Sequence, residues 1–221
     1  MAGIYQISPR RRGIFEYLSV NVILIGVNVF AFILFSIFLF LKMPIEYVAI
    51  KPSNILHGKY LWTFLTSMFM HGGLFHLFAN MFSLIFIGGL VEKILGARRY
   101  FWFYISSGLF AGLFFVLSSL IFPADLNTFA VGASGAIFSL IGLLVLLTPD
   151  LPVFVMFIPI PIKMKYAGPG ILVLLWIVSV AGNVPIGNTA HFGGLLVGLG
   201  YGIYLRHKYK RKVGFIRRYF R

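Results

Sequence analysis

The sequence contains no cysteine and only five acidic residues, and charged side chains make up just 11% of its 221 positions. The missing cysteine excludes disulfides, thiol catalysis and iron–sulfur or thiolate metal sites. The scarcity of charge argues against an ordinary soluble domain, where about a quarter of residues are charged. No histidine is followed by glutamate, so the HExxH signature of a zinc protease is absent. Asp125 and Asp150 both fall in expected loops, which leaves no pair of membrane-embedded aspartates for aspartyl catalysis. Nothing in the chain calls for a metal or another cofactor.

What is abundant is apolar surface, with 60% hydrophobic and 18% aromatic residues. Several runs approach the ~20 apolar residues that cross a bilayer as a helix. Read by length and breakers, they predict an all-α, polytopic membrane protein with helices at about 17–41, 74–91, 100–121, 134–147, 167–182 and 190–205. A short basic segment, 1–16, precedes this 17–205 membrane domain, and a basic tail, 206–221, follows it. The short termini suggest a minimal form with no further soluble domain. The N-terminal apolar run is too long for a cleaved signal peptide, and no small-residue cleavage site follows it.

The net charge of +14 is unevenly placed. Sixteen of the nineteen Lys and Arg residues, from Arg10–Arg12 to the tail RHKYKRKVGFIRRYFR, fall on one side of the expected helices; Lys42, Lys51 and Lys59 fall on the other. Positive charge marks the cytoplasmic side, so both termini are expected inside. The tail mixes basic and aromatic residues, as nucleic-acid binders do. A topology determinant touching anionic lipid is the favoured reading, with no nucleic-acid partner.

With that topology, rare polar residues from three helices reach one level near the outer face. His76 and Asn80 lie early in the second helix, Ser134 opens the fourth and His191 opens the sixth. Strongly polar groups at membrane depth are costly and mark functional sites by default. The fourth helix has only 14 apolar residues, Ser134 to Leu147, or about 21 Å of a core near 30 Å thick. Its start is therefore expected below the outer surface, preceded by the irregular stretch PADLNTFAVGA, which lines a wet cavity.

Each residue also has a packing explanation. Serine and glycine let membrane helices approach closely, His76 and Asn80 at i and i+4 suit polar glue, and Gly194, Gly198 and Gly202 form GxxxG patterns. His57 and His71 are read as interfacial loop residues. The combination points further. Serine becomes a nucleophile when a neighbouring base takes its proton, and histidine is the usual base. Gly135 and Ser139 on one helix, with Gly194 and Gly198 on the other, would let Ser134 and His191 meet. The Ser134 amide, His76 and Asn80 could stabilise an oxyanion. With no acid at that level, a Ser-His dyad is expected rather than a triad.

These residues resemble the rhomboid family of intramembrane serine proteases. The resemblance rests on GASG at 132–135, AHFGGLLVG at 190–198, HGGLFHLFAN at 71–80 and GGLVEKILGARR at 88–99, in this order along six helices. It implies cleavage of single-pass membrane proteins in or beside their transmembrane segment. Ser134 would be the nucleophile, His191 the base and then acid, and His76, Asn80 and the Ser134 amide the oxyanion hole. Phe138 would stack on the histidine, and Gly132, Gly135, Gly194 and Gly198 would support the packing. Substrate would arrive sideways between the second and fifth helices, with NVPIGNT at 183–189 as a cap. Two departures stand out: Trp62 is followed by Thr63 where the family often has arginine, and position 138 is Phe where Tyr is frequent. A prokaryotic plasma membrane, with the site opening outward, is the expected location. Two rivals are a catalytically inactive relative that binds membrane clients and a transporter using the histidines as a proton relay. The transporter reading lacks the paired broken helices of two repeated halves.

Overall fold

The structure is a computed structural model describing residues 19–155, 158–182, 184 and 186–220. The basic segment 1–16 and the expected first residues of the first helix lie outside the described residues, as do Asn183 and Pro185 of the expected cap.

The described residues are mostly helical. In order run α1 (Val20–Phe40), two short helices α2 (Pro52–Leu56) and α3 (Thr63–Thr66), then α4 (Leu74–Ser83) and α5 (Gly89–Leu95) joined by a π-helical turn, Leu84–Gly88. They are followed by α6 (Ala97–Ser118), α7 (Ser134–Leu147), α8 (Met164–Ala181), α9 (Asn188–Lys208) and α10 (Lys210–Tyr219). The only sheet among the described residues is a two-residue antiparallel pair, Pro152–Val153 (β1) with Ile162–Lys163 (β2). Among the described residues, four stretches are long and apolar enough to cross a membrane: Val20–Phe40, Leu74–Leu95, Ala97–Ser118 and Met164–Ala181. Their outward faces carry large apolar side chains such as Phe30, Phe86 and Val180, as an integral membrane protein requires.

The centre of the bundle is α7. It is apolar on every side, and Ala136 to Leu144 are all buried, which is the pattern of a core helix. Its closest neighbour is α9, because glycines remove side chains from both surfaces. A Cβ on Gly194 would run into the Gly135 carbonyl oxygen, one on Gly198 into the Ser139 carbonyl, and one on Gly142 into the Leu195 carbonyl. The two backbones are therefore in contact along several turns.

α1 is held by hydrogen bonds rather than by a wide apolar face. The Glu92 carboxylate accepts from the Ser19 hydroxyl at 2.5 Å and from the amides of Val20 and Asn21 at 2.8 and 3.1 Å. An acid in the first turn of α5 thus caps the first turn of α1, where free amides and the positive helix end favour it. In the same turn, Asn21 Nδ2 donates to the Leu84 carbonyl at 2.7 Å, and the Tyr100 hydroxyl donates to Asn21 Oδ1 at 2.6 Å. The Leu84 carbonyl belongs to the π turn, where the helix widens.

The outer connections are tied together as well. Ile50 and Ala130 exchange backbone hydrogen bonds of 3.1 and 2.9 Å, and the Ser53 amide donates to Leu126 at 2.9 Å. At the other end, Asp150 pairs with Lys163 and Lys165 at 3.5 and 3.1 Å, which holds its carboxyl below the usual range. The tail read for its charge forms α10, with Val213 buried against the bundle and the basic residues outward.

Replacing Glu92 with Ala removes the acceptor for two amides and a hydroxyl. Detergent-solubilised Glu92→Ala should unfold at a lower temperature, with a loss of about 2 kcal/mol, whereas Glu46→Ala in the outer loop should change little. Equal melting of the two variants by circular dichroism would rule out the capping role.

Candidate active site

Ser134 is the first residue of α7 and His191 lies in the first turn of α9. The glycine contact between the two helices brings Ser134 Oγ to 2.7 Å from His191 Nε2. The imidazole is 7% exposed and its backbone amide donates to the Gly187 carbonyl at 3.1 Å. The Phe138 ring, one turn below Ser134, stacks on it with centroids 4.6 Å apart and planes 18° from parallel. That contact orients Nε2 toward the hydroxyl. No protein group among the described residues hydrogen-bonds His191 Nδ1. A serine and a histidine meet here without a carboxylate.

The segment before Ser134 brings the second pair of polar residues alongside. Gly132 has φ +114, a left-handed conformation that suits glycine, and its amide donates to the Ser67 carbonyl at 2.8 Å. A Cβ there would meet His76 Nε2 and Cε1 at 2.8 Å and Asn80 Nδ2 at 3.6 Å. Both side chains of α4 therefore lie over residue 132, two positions ahead of the serine. Asn80 is buried, and its Nδ2 donates to the His76 carbonyl at 3.0 Å. The amides at the start of α7 have no acceptor within the helix, so N–H groups gather on the same side. Gly135 is equally constrained: a Cβ there would press on Ala111 of α6.

The sequence reading missed part of the surroundings. His71 is 4% exposed rather than interfacial, and its ring sits edge-on to His76 at 5.2 Å. Burial, with His76 adding to it, pushes His71 down to about 4, so it is neutral at pH 7. The HGGLFH spacing carried that signal, since His71 and His76 flank a two-glycine turn. His57 is exposed, with Nδ1 2.6 Å from the Ser53 carbonyl. Deeper in α7, Ser139 and Ser107 share a 2.6 Å hydrogen bond between helices. Thr63, in the place of the expected arginine, is fully buried and donates to the Tyr60 carbonyl at 2.7 Å. Trp62 Nε1 donates to the Tyr47 carbonyl at 2.9 Å. Among the described residues, no cluster of three or more His, Asp or Glu side chains could hold a metal ion.

Comparison with known proteins gives these features a family context. A family model described as "Rhomboid domain" matches residues 58–208. "RHOMBOID-like protein 1" of Arabidopsis thaliana is 35% identical over 167 residues, covering 73% of this chain and 39% of the relative. "Rhomboid protein 1, mitochondrial" of Saccharomyces cerevisiae is 27% identical over 227 residues, covering 93% of this chain and 61% of the relative. "Inactive RHOMBOID-like protein 8" of Arabidopsis thaliana is 43% identical over 82 residues, which is 37% of this chain and 22% of the relative. The chain thus spans less than half the length of the plant relatives. A plant and a mitochondrial relative lend no support to the expected prokaryotic plasma membrane; an integral membrane location stands. The domain match extends from the loop before α3 to the end of α9 and takes in His76, Asn80, Ser134 and His191. This chain belongs to the rhomboid family, whose members are membrane-embedded and, at the level of the family, proteases acting on membrane proteins in the bilayer, with inactive proteins among them.

Proposed function

We propose that this chain is an intramembrane serine endopeptidase in which Ser134 and His191 act as a dyad. The 2.7 Å approach of Ser134 Oγ to His191 Nε2 carries the reading. His191 takes the serine proton as Oγ attacks the scissile carbonyl carbon, then returns that proton to the leaving amine as the C–N bond breaks. Water, activated by the same imidazole, hydrolyses the acyl-serine. The oxyanion is met by the Ser134 amide with His76 and Asn80 side-chain donors. His71 packs against His76 and helps keep its ring in place. Phe138 and Gly132, Gly135, Gly194 and Gly198 act through position, by fixing the imidazole plane and the gap between helices.

The topology follows from the same reading. Six helices span the bilayer, both termini lie on the cytoplasmic side, and the site opens toward the opposite side. Substrates are single-pass transmembrane proteins that approach from lipid between the α4–α5 helix and α8. The outer half of α8 supports that route: Val173, Ile177 and Val180 are exposed, and the helix's buried residues, Met164, Ala167, Gly168 and Leu172, all lie in its first half. The cap in this reading is the stretch NVPIGNT at 183–189, within which the Gly187 carbonyl accepts from the His191 amide at 3.1 Å.

A client-binding protein without catalysis is the second reading, favoured by the similarity to a relative named inactive. Against it, this chain holds its serine within hydrogen-bond distance of a histidine. Fluorophosphonate labelling of the solubilised protein separates the two. Wild type should label, Ser134→Ala and His191→Ala should not, and both variants should keep the wild-type melting temperature within a few degrees. A folded wild type that fails to label would favour the client-binding reading.

Two further outcomes follow from the geometry. Asn80→Ala should slow cleavage of a transmembrane substrate by about 10- to 100-fold, in kcat more than in KM, as loss of one oxyanion donor does. Gly198→Val places a branched side chain against the Ser139 carbonyl and the α7 backbone. It should abolish labelling and lower stability by about 1–3 kcal/mol, because the two backbones must separate. Retention of full labelling would mean that close approach of α7 and α9 is not what sets the dyad.

A further inference from the structure

Opposite the serine, at the basic end of the bundle, a groove of about 1050 Å³ runs between α6 and α9. Arg98 and Arg99 stand at its mouth, and Trp102, Phe103, Val197 and Tyr201 line its body. Ser106 marks its inner end. From Ala97 to Ser106 the helix rises about 14 Å, close to the ~15 Å depth of one leaflet's hydrocarbon. We propose that this groove binds one anionic phospholipid, with the phosphate at Arg98 and Arg99 and an acyl chain along α6 and α9.

Charge complementarity supports this occupant. Ion pairs among the described residues join Lys51 to Glu46 and both Lys163 and Lys165 to Asp150, which leaves Arg98 and Arg99 without a carboxylate. Glu92, on α5 before the Gly96 break, is engaged by Ser19 and the amides that begin α1. Arg99 is also within electrostatic range of Lys208, whose Nζ donates to the Tyr204 hydroxyl at 2.6 Å. The first amides of α6, including those of Arg98 and Arg99, have no acceptor within the helix and add donors where a phosphate would sit. The two guanidiniums can form paired bonds to phosphate oxygens. Below them the walls are apolar: Phe103 and Tyr201 pack at 4.7 Å between centroids, and Trp102 is 60% exposed beside them. A cationic rim over an apolar trough, in a chain that lives in a bilayer, fits an amphiphile better than a free anion.

Trp102 is a built-in reporter. The protein is reconstituted in phosphatidylcholine nanodiscs containing graded amounts of either dibromo-phosphatidylglycerol or dibromo-phosphatidylcholine. Tryptophan quenching is read for the wild type and for Trp102→Phe, whose difference isolates Trp102 from Trp62 and Trp176. The brominated anionic lipid should quench Trp102 saturably, at about a fivefold lower mole fraction than the zwitterionic one. Arg98→Gln with Arg99→Gln should abolish that preference, whereas Arg217→Gln with Arg218→Gln in α10 should keep it. Circular dichroism melting checks that each variant is folded. Equal quenching by the two lipids would overturn the proposal, as would a preference lost only in the α10 variant.

Discussion

The contact between α7 and α9 is the constraint on which the site depends. A hydrogen bond of 2.7 Å between side chains on two helices tolerates little change in helix spacing. The sequence meets that demand by removing side chains: Gly194, Gly198 and Gly142 each face a carbonyl oxygen of the partner helix. In lipid such packing is a main source of helix association, since tails are as apolar as leucine. The same glycines therefore serve stability and geometry at once. If the proposed dyad is right, a displacement of about 1 Å there is enough to cost two orders of magnitude in rate.

A short central helix creates a second requirement. The stretch from Ser119 to Ala133 lies beside membrane-spanning helices, and its backbone donors and acceptors need partners there. The connection between α1 and α4 supplies several of them: Ser67 accepts from Gly132, Ile50 pairs with Ala130, and Leu126 accepts from Ser53. This explains why α2 and α3 are ordered rather than a loose connection. It also places Gly132 between the loop and α4, so that Ser134, His76 and Asn80 are held by one irregular segment with a left-handed glycine at its turn.

Much of the site was legible because rare residues are informative in an apolar chain. Ser134 and Leu147 bound α7 in both sequence and structure, since GASG breaks the chain before it and Pro149 follows it. Phe138 follows Ser134 by one turn, and its place beside the imidazole of another helix came from the family resemblance, since spacing within α7 does not reach α9. His71 was harder: its burial depends on the tertiary fold of the Gly72–Gly73 turn, which periodicity does not describe. Charge hid α10, because a run of basic residues drew attention away from Val213, Ile216 and Phe220, spaced three and seven residues apart on one face. The π turn at Leu84–Gly88 and the hairpin at Pro152–Lys163 left no pattern of their own, being set by Asn21 on one side and by Asp150 with its two lysines on the other.

The same helix, α9, explains why the bundle closes at one end and opens into a groove at the other. On the face toward α7 its residues are Gly194, Gly198 and Gly202, so those two helices stay close along several turns. On the face toward α6 they are Gly193, Val197 and Tyr201, four residues apart and rising steadily in size. Gly193 lets the Phe114 side chain of α6 press against the backbone near His191. Two to three turns on, Tyr201 meets Phe103 ring to ring instead, which holds α6 further out. A graded series on one face of a single helix thus tightens the packing around His191 and leaves space beside Arg98 and Arg99. Replacing Tyr201 with a small residue would let α6 close on α9, so the groove is a consequence of side-chain size and not of a missing neighbour.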